Sequence, residues 1–260
     1  MSAYDKVMAA RDTGKLTSVD YINALFGDSF IELHGDRGFA DDKAVVGGVG
    51  MLNNIPVTVI GLEKGRNTKE RMERNFGAAH PEGYRKALRL MKQAEKFHRP
   101  VLCFVDTSGA FCGIAAEERG QGHAIATNLM EMMAFKTPVL SVFIGEGGSG
   151  GAIALAVADE VWMMENAVYS VISPEGCASI LWKDSSKAAE AAECLKMTAK
   201  DLFDLGVVER ILREPVAGDQ KMFESLKLLI CRTFEKNLAV EPERLAQLRY
   251  NRFRKIGQKK

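Results

Sequence analysis

Val139-Leu140-Ser141-Val142-Phe143-Ile144-Gly145-Glu146-Gly147-Gly148-Ser149-Gly150-Gly151-Ala152 is the stretch whose reading decides the fold. Its first six residues, apolar and partly β-branched after Pro138, predict a buried strand. The apolar run from Ala152 to Ala158 predicts a short, buried helix on the far side. Between the two, five of the seven residues from Gly145 to Gly151 are glycine. So bare a turn lets another molecule approach main-chain N–H groups at a helix N-terminus, where donors lack partners and the dipole is positive. An oxyanion or a phosphate suits such a place. Tight backbone packing is the competing explanation, sufficient for one glycine pair.

A second strand stands upstream. Pro100 to Asp106 is apolar and ends in Thr107-Ser108-Gly109-Ala110-Phe111-Cys112-Gly113, again a small-residue loop. Successive strands of a right-handed crossover lie side by side, so Gly109-Ala110 and Gly150-Gly151 are expected to meet. Amides converging from the two bends would form an oxyanion hole, each donor contributing roughly 2.7–4 kcal/mol toward developing negative charge. Gly145, Gly147 and Gly150 also spell G-x-G-x-x-G, with Glu165 near the place of a ribose-binding acid. The short helix and mid-chain position weigh against a dinucleotide site. Ser108, Ser149 and Ser170 are nucleophiles by type, but no nucleophile elbow is read here. Ser149 reads as the small residue the turn requires. Glu117-Glu118 complement a helix start without further chemistry. A site of main-chain donors without evident acid, base or metal suits an enolate whose proton transfers involve substrate or cofactor.

The rest of the chain frames these loops. Tyr4 to Phe30 predicts amphipathic helix broken near Gly14, with Thr17-Ser18 as a second N-cap. Ala44 to Leu52 and Ile55 to Leu62 predict a hairpin turning at Asn53-Asn54, and Gly47-Gly48 a bulge or a close approach. Tyr84 to Phe97 and Glu117 to Met133 predict helices; Val161 to Met164, Val168 to Val171 and Val207-Val208 predict strands. Ser173-Pro174 opens helices reaching Phe203, and two more, Gln220 to Leu238 and Pro242 to Phe253, close the chain. Repeated strand–loop–helix units imply an α/β fold.

A formal charge of +1, with 47% hydrophobic and 27% charged residues, argues against global attraction to nucleic acid or an anionic membrane and leaves only local basic patches for such contacts. Five cysteines without a C-x-x-C pair and four scattered histidines suggest neither a disulfide frame nor a metal site. Met1 to Lys15 alternates charged and apolar residues, unlike a secretory leader, and no long apolar span follows, so the cytoplasm is the expected location. The basic stretch Lys64-Gly65-Arg66-Asn67-Thr68-Lys69-Glu70-Arg71 reads as a solvated helix face or as a contact for an anionic group.

Lys64-Gly65-Arg66, Arg74-Asn75-Phe76-Gly77, His80-Pro81-Glu82-Gly83-Tyr84-Arg85-Lys86-Ala87-Leu88-Arg89, Gly145 to Ala152, and Tyr169-Ser170-Val171-Ile172-Ser173-Pro174-Glu175-Gly176 resemble the carboxyltransferase α subunit of bacterial acetyl-CoA carboxylase. The likeness runs from about Phe30 to Pro215, in what looks like a short form of the family. It implies a crotonase-like fold, a ββα superhelix with helical N- and C-terminal segments. Its divisions would be a helical segment 1–30, a carboxyltransferase domain 31–215, and helices 216–260 packing on it or on a partner. The resemblance implies an α₂β₂ heterotetramer with a separate β subunit, served by a biotin carboxyl carrier protein and biotin carboxylase. The zinc ribbon of that family belongs to β. Carried over, amides of Gly150, Gly151, Gly109 and Ala110 would stabilise the biotin enolate as carboxybiotin releases CO₂. The biotin nitrogen would take the methyl proton of acetyl-CoA, and malonyl-CoA would form without a protein base. Gly147, Gly148, Ser149 and Phe111 would then lie on the biotin side, with Lys64 and Arg66 left for CoA phosphates or the β subunit.

The first loop departs from the family pattern D-T-P-G-A-Y-P-G, reading Asp106-Thr107-Ser108-Gly109-Ala110-Phe111-Cys112-Gly113. Two missing prolines loosen it in principle. A free-standing enoyl-CoA hydratase or isomerase of the same fold is the alternative, requiring paired glutamates in the pocket. A non-catalytic scaffold for β is a third.

Overall fold

The computed structural model describes residues 1–258 of the chain. β1 (Ile31–Glu32), β2 (Val45–Leu52) and β3 (Ile55–Leu62) form an antiparallel start to the sheet, with Asn53 at φ 53° in the hairpin turn. β4 (Val101–Thr107), β5 (Val139–Gly148), β6 (Glu160–Met164) and β8 (Arg210–Leu212) continue it in parallel, in the order β1-β2-β3-β4-β5-β6-β8. β7 (Val168–Ser170) leaves that path and pairs with the end of β5. Every residue of β4 is buried, as expected of a parallel strand covered on both faces.

The helices cover those faces. α1 (Ala3–Arg11) and α2 (Ser18–Phe26) start at Ser2 and Thr17, each with a capping box. α3 (Thr68–Glu73) is short, and α4 (Pro81–Lys96) begins with Pro81 at its first turn. A Cβ on Gly47 would stand 2.5 Å from Leu90 of α4, and one on Gly50 would stand 2.6 Å from Phe26 of α2. The β2–β3 register runs unbroken from Val45↔Leu62 to Leu52↔Ile55. Gly47-Gly48 therefore mark close approach, and the bulge reading is set aside.

Other boundaries also differ from expectation. Gly120, at φ 81°, divides the expected Glu117–Met133 helix into α5 (Ile114–Glu118) and α6 (Gln121–Ala134). The helix after the glycine run is α7 (Ser149–Ile153), which starts inside the run, while the Ser141 hydroxyl donates to the Leu155 carbonyl just beyond its end. α8 (Pro174–Trp182), α9 (Ala188–Leu195) and α10 (Ala199–Asp204) follow. Val207 and Val208 donate their N–H groups to Leu202 O and finish α10, so the expected strand forms later, at β8.

α11 (Gln220–Leu238) buries Phe223, Leu226, Ile230 and Phe234 in the main core. α12 (Pro242–Lys255) buries Leu245 and one cation, Arg249. Arg249, 1% exposed, donates to Met132 O, Phe135 O, Thr137 O and both Asp159 carboxylate oxygens at 2.6–3.0 Å. That arrangement occupies all five guanidinium N–H groups. Arg249→Ala strands Asp159 and three carbonyls, and is expected to lower unfolding free energy by about 3–5 kcal/mol in urea denaturation. Arg249→Lys recovers only a small part of it, because an ammonium lacks the fork.

Candidate active site

The site is founded on a carboxylate inserted between two strands. Asp106 Oδ1 accepts the Glu146 N–H at 2.9 Å and lies 2.7 Å from Lys64 Nζ. A Cβ on Gly145 would stand 2.3 Å from the same oxygen, so any side chain there would expel it. Val105 pairs with Phe143 and Thr107 with Gly147, so two steps of β4 answer four of β5. Over that irregularity β5 leaves β6, paired through Phe143, and takes up β7 from Glu146.

A chain of alternating charges continues outward. Lys64 Nζ meets Glu146 Oε2 at 2.8 Å, Arg11 Nε meets Glu146 Oε1 at 2.8 Å, and the Arg11 fork grips Glu175 at 2.7 and 3.2 Å. Burial alone would raise the Glu146 carboxyl, but Lys64 and Arg11 outweigh it and hold the group below its ordinary range. Burial alone would lower Lys64, and Asp106 and Glu146 reverse that, raising it. Lys64, in a run that the sequence left as either a solvated face or a contact for an anionic group, is thus engaged under the site. Arg66 lies apart, paired with Asp20, its main-chain N–H donated to Glu70.

The two small-residue bends meet. A Cβ on Gly148 would stand 2.0 Å from Ser108 O, and one on Gly151 would stand 2.6 Å from Ala110 N. Gly109, Ala110, Gly147, Gly148, Ser149, Gly150 and Gly151 therefore share one place. Their amides are not equally free. Gly109 N–H donates to Thr107 Oγ1 at 3.1 Å, while that hydroxyl donates to Gly109 O at 2.7 Å. This withdraws Gly109 from the expected set of donors. Gly150 and Gly151 occupy the first turn of α7, where no intrahelical acceptor exists. Neither they nor Ala110 donate to any other group among the described residues. With five residues, α7 supplies first-turn donors and little macrodipole, so the expected dipole contribution shrinks to those donors.

Phe111 anchors the first bend. Its N–H donates to Ala79 O at 3.0 Å, its carbonyl accepts Gln121 Nε2 at 2.9 Å, and its ring stacks on His80 at 4.0 Å. Ser149 stands at φ 44° between strand and helix, and Gly147-Gly148-Ser149-Gly150-Gly151 does spell G-x-S-x-G. The elbow set aside at first is present in shape. Its hydroxyl, however, bonds no histidine or carboxylate among the described residues. An apolar pocket of roughly 660 Å³ opens beside Ser149 and Gly150, walled by Ile153, Tyr169, Leu202 and Phe253. A polar recess of roughly 200 Å³ lies by Ser108, Arg11 and Lys64. Its rim includes Phe76, which with Asn75 holds positive φ (55° and 48°), a strained turn the sequence did not reveal.

A model of the family described as acetyl co-enzyme A carboxylase carboxyltransferase-like matches residues 1–257. The chain belongs to that carboxyltransferase family. It is 61% identical to the acetyl-coenzyme A carboxylase carboxyl transferase subunit alpha of Ruminiclostridium cellulolyticum over 99% of this chain and 98% of that one. A protein of Natranaerobius thermophilus named as subunits beta/alpha is 56% identical over 99% of this chain and 43% of its own length. In fold, the chain resembles a Pseudomonas malonate decarboxylase hetero-tetramer in complex with coenzyme A, with TM-score 0.70, 16% identity and coverage of 90% and 93%. It also resembles transcarboxylase 12S with methylmalonyl-coenzyme A bound, with TM-score 0.67, 19% identity and coverage of 85% and 42%. The crotonase-like architecture of carboxyltransferases is therefore the architecture here.

In this carboxyltransferase-family chain the junction glycines are unequal. Gly148→Ala must part the bends and is expected to cost about 1–3 kcal/mol of stability. Gly150→Ala meets only Ile125 at 3.5 Å and should stay within about 0.5 kcal/mol in the same urea titration. Glu146 gives a pH test. With its folded pKa depressed, its stabilisation is present above the unfolded value of 4.5 and is lost as pH falls through the folded one. Wild-type stability should fall on that acid limb, and Glu146→Gln should flatten the fall.

Proposed function

We propose that this chain is the α half of a carboxyltransferase that moves a carboxyl group from carboxybiotin to acetyl-CoA, giving malonyl-CoA for fatty acid biosynthesis. It acts with a separate β subunit, in the cytoplasm. The named relatives support the reading, and the beta/alpha protein of Natranaerobius supports a β partner. No helix among the described residues is long and apolar enough to cross a membrane.

The observation that carries the proposal is the set of free amides of Ala110, Gly150 and Gly151 at one junction. These donors fit a carbonyl oxygen gaining negative charge. They are neutral, rigidly placed, and need no reorganisation as charge develops. Carboxybiotin on its carrier protein, recharged by biotin carboxylase, supplies the carboxyl group and a ureido nitrogen able to take the acetyl methyl proton. The chain's own part is placement and charge stabilisation. Gly147, Gly148 and Ser149 bring the amides to the surface, and Phe111 holds the facing bend. Asp106 and Glu146, the carboxylates under the bends, are both engaged by Lys64. That pairing disfavours the hydratase alternative, which needs free acids at this place.

The test uses the purified α–β complex with a biotinylated carrier and labelled carboxyl. Gly150→Pro suits a first-turn position and deletes one N–H. It should lower kcat by about 10²–10³-fold. Gly150→Ala, which keeps the N–H, separates loss of the donor from loss of the fold. Wild-type rates from the proline variant, or hydration of an enoyl-CoA by this chain alone, overturn the proposal.

A further inference from the structure

Behind the amide junction stands a hydroxyl without a partner. Tyr84, on α4, has no exposed surface, and its Oη forms no hydrogen bond among the described residues. It lies 3.0 Å from the point a Cβ on Gly151 would occupy, and Ala110 N lies 2.6 Å from that same point. One buried hydroxyl and two free amides are thus gathered where the bends touch. The neighbouring Gln121 and Asn128 hold the frame through their amide N–H groups, while Gln121 Oε1 and Asn128 Oδ1, like Tyr84 Oη, have no partner among the described residues. Gln121 Nε2 donates to Ala79 O and Phe111 O at 2.8 and 2.9 Å, and Asn128 Nδ2 donates to Tyr84 O and Ala154 O at 3.2 and 3.3 Å.

A hydroxyl left unpaired in a core costs about 1–3 kcal/mol, and phenylalanine would fill the same slot without that cost. Burial raises the phenol above its ordinary value, so at neutral pH it carries a proton to donate. Resting on the carboxyltransferase reading above, we infer that Tyr84 Oη is a further donor of the cradle, serving the oxygen that gathers charge at the Ala110–Gly151 junction. Because Oη is closed off in this structure, the hydrogen bond is made only if the bends at Ala110 and Gly151 part as that oxygen binds. Tyr84 would then add a side-chain donor to a cradle of main-chain amides.

Tyr84→Phe in the α–β complex tests the inference. The expected result is a fall in kcat of about 10²-fold with KM little changed, accompanied by a melting temperature equal to or above that of wild type. Unchanged kcat with raised stability means a stranded core hydroxyl, and overturns the inference. Lowered stability with unchanged kcat means a structural water, and also overturns it. A second readout does not depend on turnover or on the folding of Tyr84→Phe. With 3-fluorotyrosine placed at position 84, adding a cyclic urea (2-imidazolidinone) should shift the ¹⁹F resonance, and an unmoved resonance overturns the inference. An active wild-type complex with an indifferent Tyr84→Phe defeats this inference alone. An inactive wild-type complex defeats the underlying reading instead.

Discussion

The architecture of the site depends on a carboxylate occupying the space of a missing side chain. Asp106 reaches into β5 at Gly145, binds the Glu146 N–H, and is neutralised by Lys64. Without that insertion β4 and β5 would keep their register, and the glycine run would continue in the plane of the sheet. With it, β5 changes partner from β6 to β7 and carries Gly147–Gly151 across the end of β4. Two buried anions on neighbouring strands would repel, and the alternating Lys64 and Arg11 make their proximity stable. Arg11 extends the dependence to α1, so the N-terminal helix takes part in supporting the bends.

The competing explanations of the glycines, ligand approach and backbone packing, prove to be one. Gly148 and Gly151 are required by the main chain of the facing bend, against which any Cβ would collide. That contact itself sets the amides of Ala110 and Gly151 together. Gly150, by contrast, has room for a side chain. Packing therefore builds the cradle, and the donors left over from packing are what a ligand can use. Gly109 shows the limit of the argument, since its bend is stabilised by the bond that removes its own N–H from the set.

The hairpin, β4, β5 and both closing helices were legible because each carries its own period, cap or turn residue. What was not legible depended on partners distant in the chain. β1 is two residues long, and pairing with Gly48 and Val49 makes it a strand. Val207-Val208 is strand-like in composition, yet its N–H groups are drawn to Leu202. Lys64 sits in a basic run that looks solvated, and only the fold brings Asp106 and Glu146 to it. The meeting of the bends followed from crossover geometry. Tyr84 did not, because an unpaired hydroxyl is visible only once every neighbour has been accounted for.

The same geometry explains why the first loop can depart from the family pattern it resembles. Proline at the positions of Ser108 and Cys112 would stiffen the bend through the chain itself. Here the stiffness comes from hydrogen bonds instead. Thr107 Oγ1 closes a turn on both polar groups of Gly109, and Phe111 is tied at both its N–H and its carbonyl. A tyrosine hydroxyl at position 111 is not needed to hold the bend, since the Phe111 ring already stacks on His80. Neither the Ser108 nor the Cys112 side chain forms a hydrogen bond among the described residues. A cradle of main-chain donors tolerates changes in any side chain that does not set the path of the backbone. The positions that do set that path, Asp106, Gly145, Gly148 and Gly151, keep the residues the geometry demands.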